Sequence, residues 1–286
     1  MADSATRRGG PVAHASPTVT LNNGVEIPQL GFGSYQIEPE DTARAVRDAL
    51  EVGYRHIDTA EMYGNEAEVG EAVRASGLDR SDVFVTSKLD NGSHARDDAL
   101  AAFDRTLSEL GLDHVDLFLI HWPLPREDRY VEAWQALEEV HRSGRARAIG
   151  VSNFAPHHLE RLAEETDVVP AVNQIEVHPY LTQDETRAYG AEHGIATEAW
   201  SPIAQGKVLD DPTITEVAES HGRSPAQVTL RWHLQRGDIV FPKSSHRERM
   251  EEHFAVFDFD LTDDEVARIR SLDRDGRTGA APDEMG

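Results

Sequence analysis

Residues 53–66 read Gly53-Tyr54-Arg55-His56-Ile57-Asp58-Thr59-Ala60-Glu61-Met62-Tyr63-Gly64-Asn65-Glu66. A short strand-like run, His56–Ile57, passes directly into a polar turn that carries an aspartate and, further on, a tyrosine. Ahead of it, Asp41–Val52 has the apolar spacing of an amphipathic helix; beyond it, Val83–Thr86 is strand-like again. Extended in both directions, the alternation repeats with a period of ~30 residues, the length of a strand–helix unit. The strand runs are Gln29–Gly31, His56–Ile57, Val83–Thr86, Leu117–Ile120, Ala146–Gly150, Ala171–Gln174, Ala196–Ala199 and Ile239–Phe241. Helical patterns lie between them, among them Ala95–Leu110, Val131–Arg142, Pro156–Glu165 and Ala226–Gln235, the last opened by Ser224-Pro225, a cap followed by a first-turn proline.

Eight such units fit a closed (β/α)₈ barrel occupying residues 18–286 as one domain. An open, doubly wound sheet shares the same period. That fold binds its nucleotide through a Gly-x-Gly-x-x-Gly turn after the first strand, and the corresponding Gly31-Phe32-Gly33-Ser34-Tyr35-Gln36 lacks the third glycine. At the N-terminus, Thr18–Leu21 and Val25–Ile27 flank Asn22-Asn23-Gly24, whose residues tolerate positive φ, so a β-hairpin is expected to close the bottom of the barrel. Residues 1–17 are small, polar and Gly/Pro-containing and are expected to form a disordered tail; Arg7-Arg8 is followed by no apolar segment of an export signal.

Composition narrows the function classes. The 286 residues carry a formal charge of −24 and no cysteine. Thiol catalysis and cysteine-bound zinc are excluded, and a nucleic-acid partner is disfavoured because it needs a basic face. No apolar run reaches the length of a membrane span. A cytoplasmic monomer without a metal site is expected, and His157-His158 is read as surface. The acidity fits either an ordinary acidic protein or one suited to high salt, where a dense carboxylate surface is screened.

In a barrel, chemistry gathers where strands end. The successive exits supply Asp58 and Tyr63, Lys88, His121-Trp122, Ser152-Asn153, Gln174 with Glu176, Trp200-Ser201-Pro202, and Lys243-Ser244-Ser245. A lysine cation beside a tyrosine stabilises the phenolate and would lower its pKa. Asp58 can keep that lysine charged, and a histidine can hold a substrate oxygen. A buried Asp–Lys pair with a core tyrosine is the plainer alternative. At the last exit, a helix start with Lys243, two serines and Arg249 suits a phosphate monoester; a solvated positive cluster is the alternative there.

With these motifs assembled, the chain resembles the aldo-keto reductases from about Thr18 to Asp273. The stretch quoted above carries the resemblance, with Leu119-Ile120-His121-Trp122-Pro123, Gly150-Val151-Ser152-Asn153-Phe154, Val172–Tyr180 and Pro242–Ser245. The resemblance implies a barrel that binds NADPH across its mouth and reduces aldehydes, 2-oxoaldehydes or keto sugars. It implies the tetrad Asp58, Tyr63, Lys88 and His121, with Tyr63 as proton donor. Ser152, Asn153 and Gln174 would hold the nicotinamide carboxamide, with Gly33, Ser34 and Tyr35 nearby, and Trp200 would stack on the ring. Ser201, Pro202, Ile203 and Gly206 would cover the pyrophosphate; Lys243, Ser244, Ser245 and Arg249 would grip the 2′-phosphate, and His253 would face the adenine. Tyr35, Tyr63, His121 and Trp122 would line the substrate side.

Within the family the short connection after His121 is similar to the bacterial branch of 2,5-diketogluconate and general aldehyde reductases. Asp90, Tyr35, His246 and His253 depart from the usual pattern, and the tail after Leu272 is short. A non-catalytic NADPH-binding regulator built on the same barrel is the alternative function.

Overall fold

The computed structural model describes residues 16–285. The expected tail lies outside the described residues except for Ser16 and Pro17. These two belong to the folded body: Ser16 Oγ accepts from Leu30 N (3.0 Å) and Pro17 O from Gln29 N (2.8 Å).

Strands β1 (Thr18–Thr20) and β2 (Glu26–Pro28) pair antiparallel around the expected turn, where Gly24 supplies φ 83°. Eight parallel strands follow: β3 (Phe32–Gly33), β4 (His56–Asp58), β5 (Phe84–Leu89), β6 (Val115–Ile120), β7 (Ala146–Ser152), β8 (Val172–Glu176), β9 (Ala196–Trp200) and β10 (Ile239–Val240). Each lies beside its sequence neighbour, as right-handed strand–helix–strand units require. The ring closes where Leu30 bridges Val240, with Gly31 N donating to Val240 O (2.7 Å) and Val240 N to Gln29 O (2.9 Å).

The first barrel strand differs from its expected span. Gln29–Gly31 pairs with β10, and the ladder to β4 is made further on, at Phe32–Gly33. Strands in a closed barrel are tilted, so one stretch serves its two neighbours at different heights.

Helices fill the outer layer: α1 (Pro39–Val52), α2 (Glu66–Ala75), α3 (Arg96–Leu110), α4 (Tyr130–Arg142), α5 (Pro156–Glu165), α6 (Asp184–Glu192), α7 (Pro212–His221), α8 (Pro225–Gln235), α9 (Arg247–Phe254) and α10 (Asp263–Arg270). Ser224 closes a capping box on α8: its Oγ accepts from Gln227 N, and Gln227 Oε1 accepts from Ser224 N. The main core lies between helices and sheet, where Val46, Phe103, Trp134 and Leu162 pack on the outward-facing Ile57, Val85, Phe118 and Val151.

Inside the barrel the layers change character with height. At the bottom, Phe84, Leu117, Leu119, Val172 and Ile239 pack against Leu21 and Ile27 of the hairpin region. Hairpin side chains reach the strand starts, Asn22 to Pro170 O and Asn23 to Arg147 O (both 3.0 Å). Higher up, the inward positions turn polar: His56 and Asp58, Thr86 and Lys88, Gln174, Glu198. These alternate at period two, as a strand demands. No helix among the described residues is long and apolar enough to cross a membrane.

Candidate active site

Asp58 ends β4 and Lys88 lies near the end of its neighbour β5, so their inward side chains meet. Lys88 Nζ is wholly buried and has three oxygens around it: Asp58 Oδ1 at 2.7 Å, Thr59 O at 3.0 Å and the Tyr63 hydroxyl at 3.3 Å. Those three acceptors match the three hydrogens of an ammonium. Burial opposes the charge, yet Asp58 and Tyr63 hold the Lys88 pKa above its ordinary value.

Tyr63 lies on the one-turn helix Glu61–Tyr63 after β4, half-buried, its ring 5.0 Å from that of Tyr35 and 5.8 Å from that of His121. Its pKa corrects a sequence expectation. Burial pushes the hydroxyl up to about 12, and the opposing pull of Lys88 only limits the rise. Tyr63 is therefore a protonated phenol at neutral pH. His121, buried at the end of β6, is depressed well below its ordinary value by burial and by the Lys88 charge, so its imidazole is neutral. Its Nδ1 is buried without a hydrogen-bond partner among the described residues.

The next exits form one connected array. Ser152 Oγ donates to Gln174 O (2.8 Å), and Asn153 Nδ2 donates to Ser152 Oγ (3.1 Å) and His121 O (3.0 Å). Asn153 adopts φ 65°, a left-handed turn that asparagine tolerates, and its Oδ1 accepts from Trp200 Nε1 (2.8 Å). Gln174 Nε2 donates to Asp58 Oδ2 (2.9 Å) and to Glu198 Oε2 (2.8 Å), while its Oε1 has no partner among the described residues. Thus Ser152, Asn153, Gln174 and Trp200 converge on the tetrad. Trp122 is half-buried beside His121, and Tyr35 is 55% exposed at the rim.

Three roles escaped the sequence reading, one of them at Glu176, which was read only as a polar strand exit. Asn65 is a buried hub: its Nδ2 donates to Ser34 O and Ile37 O and its Oδ1 accepts from Ser34 and Thr59, fastening the loop of Tyr35 to the loop of Tyr63. Glu176 holds the C-terminal segment, accepting from Thr278 N (2.6 Å), Gly279 N (3.1 Å) and His178 Nε2 (3.0 Å). That segment approaches Trp200 so closely that a Cβ at Gly279 would lie 2.5 Å from its Cη2. Glu198 is the third. Its signal was an acidic residue at an inward position of a strand otherwise read as apolar.

The remaining expected cofactor residues lie at the other side of the mouth. Residues 201–206 form a tight loop in which Ser201, Ala204, Gln205 and Gly206 have positive φ, pinned from beneath where His233 Nε2 meets Pro202 O (3.0 Å). Past β10, Ser244 Oγ accepts from His246 N (3.1 Å) to start α9. Arg247 is tied to Asp48, Glu51 and Glu251, whereas Lys243 and Arg249 form no ion pair among the described residues. His253 is buried, its Nδ1 without a partner among the described residues. Lys243 and Arg249 around the start of α9, with the orphaned imidazole nitrogen of His253 in its last turn, fit a phosphorylated nucleotide.

His157 is exposed as expected, but His158 is buried, packed on Tyr130 and Phe154. With Asp283 they form a three-residue cluster. His158 Nδ1 accepts from Ala155 N (3.1 Å), which places the proton of the neutral ring on Nε2, so that nitrogen offers no lone pair to a metal.

The sequence profile of the aldo/keto reductase family matches residues 29–274. The chain belongs to the aldo/keto reductase family. It is 52% identical over 267 residues to an aldo-keto reductase of Mycolicibacterium smegmatis, covering 93% of this chain and 97% of that one. It is 46% identical over 275 residues to the methylglyoxal reductase of Escherichia coli, covering 95% and 99%. A crystal structure of a Gox0644 mutant in complex with NADPH superposes with a TM-score of 0.92 at 43% identity, covering 96% and 100%. As an aldo-keto reductase, the chain has its polar array at the strand ends where the fold keeps its chemistry.

Proposed function

We propose that this chain is an NADPH-dependent reductase of small aldehydes, 2-oxoaldehydes among them, in which Tyr63 is the proton donor. The observation that carries the reading is the unbroken contact chain from Asp58 Oδ1 through Lys88 Nζ to the Tyr63 hydroxyl. NADPH, when bound, supplies the hydride. Gln174 Oε1 would accept from its carboxamide, Trp200 would flank the ring, and Lys243 with Arg249 would hold the 2′-phosphate.

The chain's own residues manage the oxygen. Tyr63 at about 12 keeps its proton across neutral pH, ready for the alkoxide, a much stronger base. Lys88 stabilises the phenolate left behind, and Asp58 keeps Lys88 charged in the dry interior. Neutral His121 offers a hydrogen bond to the carbonyl without competing for the proton. Because the protonated phenol is the working form, reduction should be flat through neutral pH, and oxidation of alcohols should rise toward alkaline pH.

The Escherichia coli relative is named a methylglyoxal reductase, which supports 2-oxoaldehydes as substrates. Tyr35, exposed, and Asp90, half-buried, set a polar rim that suits small, polar carbonyls. The test is NADPH oxidation against aldehydes, 2-oxoaldehydes, keto sugars and ketones at low and molar salt. Turnover led by 2-oxoaldehydes supports the reading. Nucleotide binding with negligible turnover on every class would replace it with the regulatory barrel. Activity that rises with salt supports a surface suited to high salt, and indifference to salt overturns that part.

A further inference from the structure

Glu198 has no task in the reaction above. It lies on β9, two residues before Trp200, and its side chain is wholly buried beneath the tetrad. Among the described residues no cation is available to it: Lys88 already has its three acceptors, and burial pushes His56, 3.8 Å away, down to about 4, leaving that ring neutral. Its contact is Gln174, whose Nε2 donates 2.8 Å to Glu198 Oε2 and 2.9 Å to Asp58 Oδ2.

An amide nitrogen carries two hydrogens. Both are therefore directed inward onto carboxyls. In a planar amide the carbonyl then points the other way, and Gln174 Oε1 indeed has no protein partner among the described residues. An amide flipped by 180° would set that oxygen against Asp58 instead.

We infer that Glu198 is a positioning residue for the nicotinamide: by accepting the second hydrogen of Gln174 it locks that amide with its carbonyl outward, as the acceptor for the carboxamide N–H of the cofactor. The inference rests on Gln174 being the carboxamide partner. Burial and the neighbouring Asp58 push Glu198 up to about 8, so at neutral pH it is protonated and adds no second negative charge under Lys88. The charged or titratable groups facing it are Asp58 and His56 from β4 and Lys88 from β5.

The test compares full-chain affinities for NADPH and for adenosine 2′,5′-bisphosphate, which lacks the nicotinamide, alongside kcat and KM. Glu198→Met should weaken NADPH about tenfold, the loss of one buried hydrogen bond of about 1.4 kcal/mol. It should leave the bisphosphate unchanged and lower kcat more than it raises the carbonyl KM. Glu198→Gln, which keeps an acceptor of the same shape, should restore NADPH affinity to within about threefold. Glu198→Leu repeats the test should the methionine variant not fold. No loss of NADPH affinity, or equal loss for both ligands, overturns the inference. Gln174→Ala separates the two layers. Selective loss there with none at Glu198→Met removes only the role of Glu198, whereas no loss at Gln174→Ala removes the carboxamide reading and the inference with it.

Discussion

The two ends of the barrel each bury an aspartate against a cation, and the two pairs do different things. At the bottom, Asp116 on β6 accepts from Arg80 (2.7 Å), Arg147 (2.7 Å) and Val85 N (2.9 Å), and both arginines reach solvent. At the mouth, Asp58 is equally buried, but its Lys88 partner reaches onward to the Tyr63 hydroxyl. The bottom pair ends there, with both Asp116 oxygens taken and its arginines running out toward solvent. The mouth pair ends in groups with capacity left over: the Tyr63 proton, the Gln174 carbonyl and the unpartnered ring of His121. A buried ion pair is weak evidence of function by itself. What distinguishes the active end is unused capacity on a phenol, an amide carbonyl and an imidazole gathered at neighbouring strand ends.

Substitutions can break that contrast. Lys88→Met should lower kcat by about 10²-fold or more, because the phenolate loses its stabilising charge. Steady-state reduction of methylglyoxal checks this. Asp116→Asn should leave kcat within about twofold while lowering stability by about 1–3 kcal/mol, since an acceptor facing a buried N–H and two guanidinium groups is lost. Urea midpoints measure it; a large drop in kcat there would erase the distinction between the ends. Lys243→Ala should weaken NADPH about tenfold and leave NADH unchanged, measured by titration with each nucleotide.

The smallest effect sharpens the interior of the mouth. Glu198 is raised from an ordinary carboxyl value to about 8, so the folded state binds its proton more tightly than the unfolded state does. Its contribution to stability is full below pH 4.5 and is lost as pH rises toward 8. Glu198→Gln removes that loss. The melting temperature of the variant relative to the parent should climb by about 2–4 °C between pH 5 and 8 and then level off. A flat difference would mean that Glu198 is ionised in the folded protein.

Much of this was legible because periodicity and strand ends are local signals. Eight strand–helix units and the hairpin around Asn22–Gly24 follow from spacing along the chain, and successive exits gather Asp58, Tyr63, Lys88 and His121 as candidates that the family resemblance makes a tetrad. What spacing could not give depends on three-dimensional surroundings. Tyr63 has lysine beside it as expected, but the drop in dielectric outweighs the charge. His158 reads as a surface helix start, yet its ring turns inward to cap α5. Glu198 and Glu176 are ordinary acidic residues until the barrel closes around one and the C-terminal segment folds onto the other. The split of the first strand between two neighbours depends on tilt, which no short window encodes.

The most direct measurement is Tyr63→Phe, assayed for turnover and, separately, for NADPH affinity. Removing only the hydroxyl should cut kcat by about 10²–10⁴-fold, the usual weight of a general acid, while the NADPH Kd stays within a few-fold. Turnover within a few-fold of the parent, or a parallel collapse of NADPH binding, would contradict Tyr63 as the proton donor.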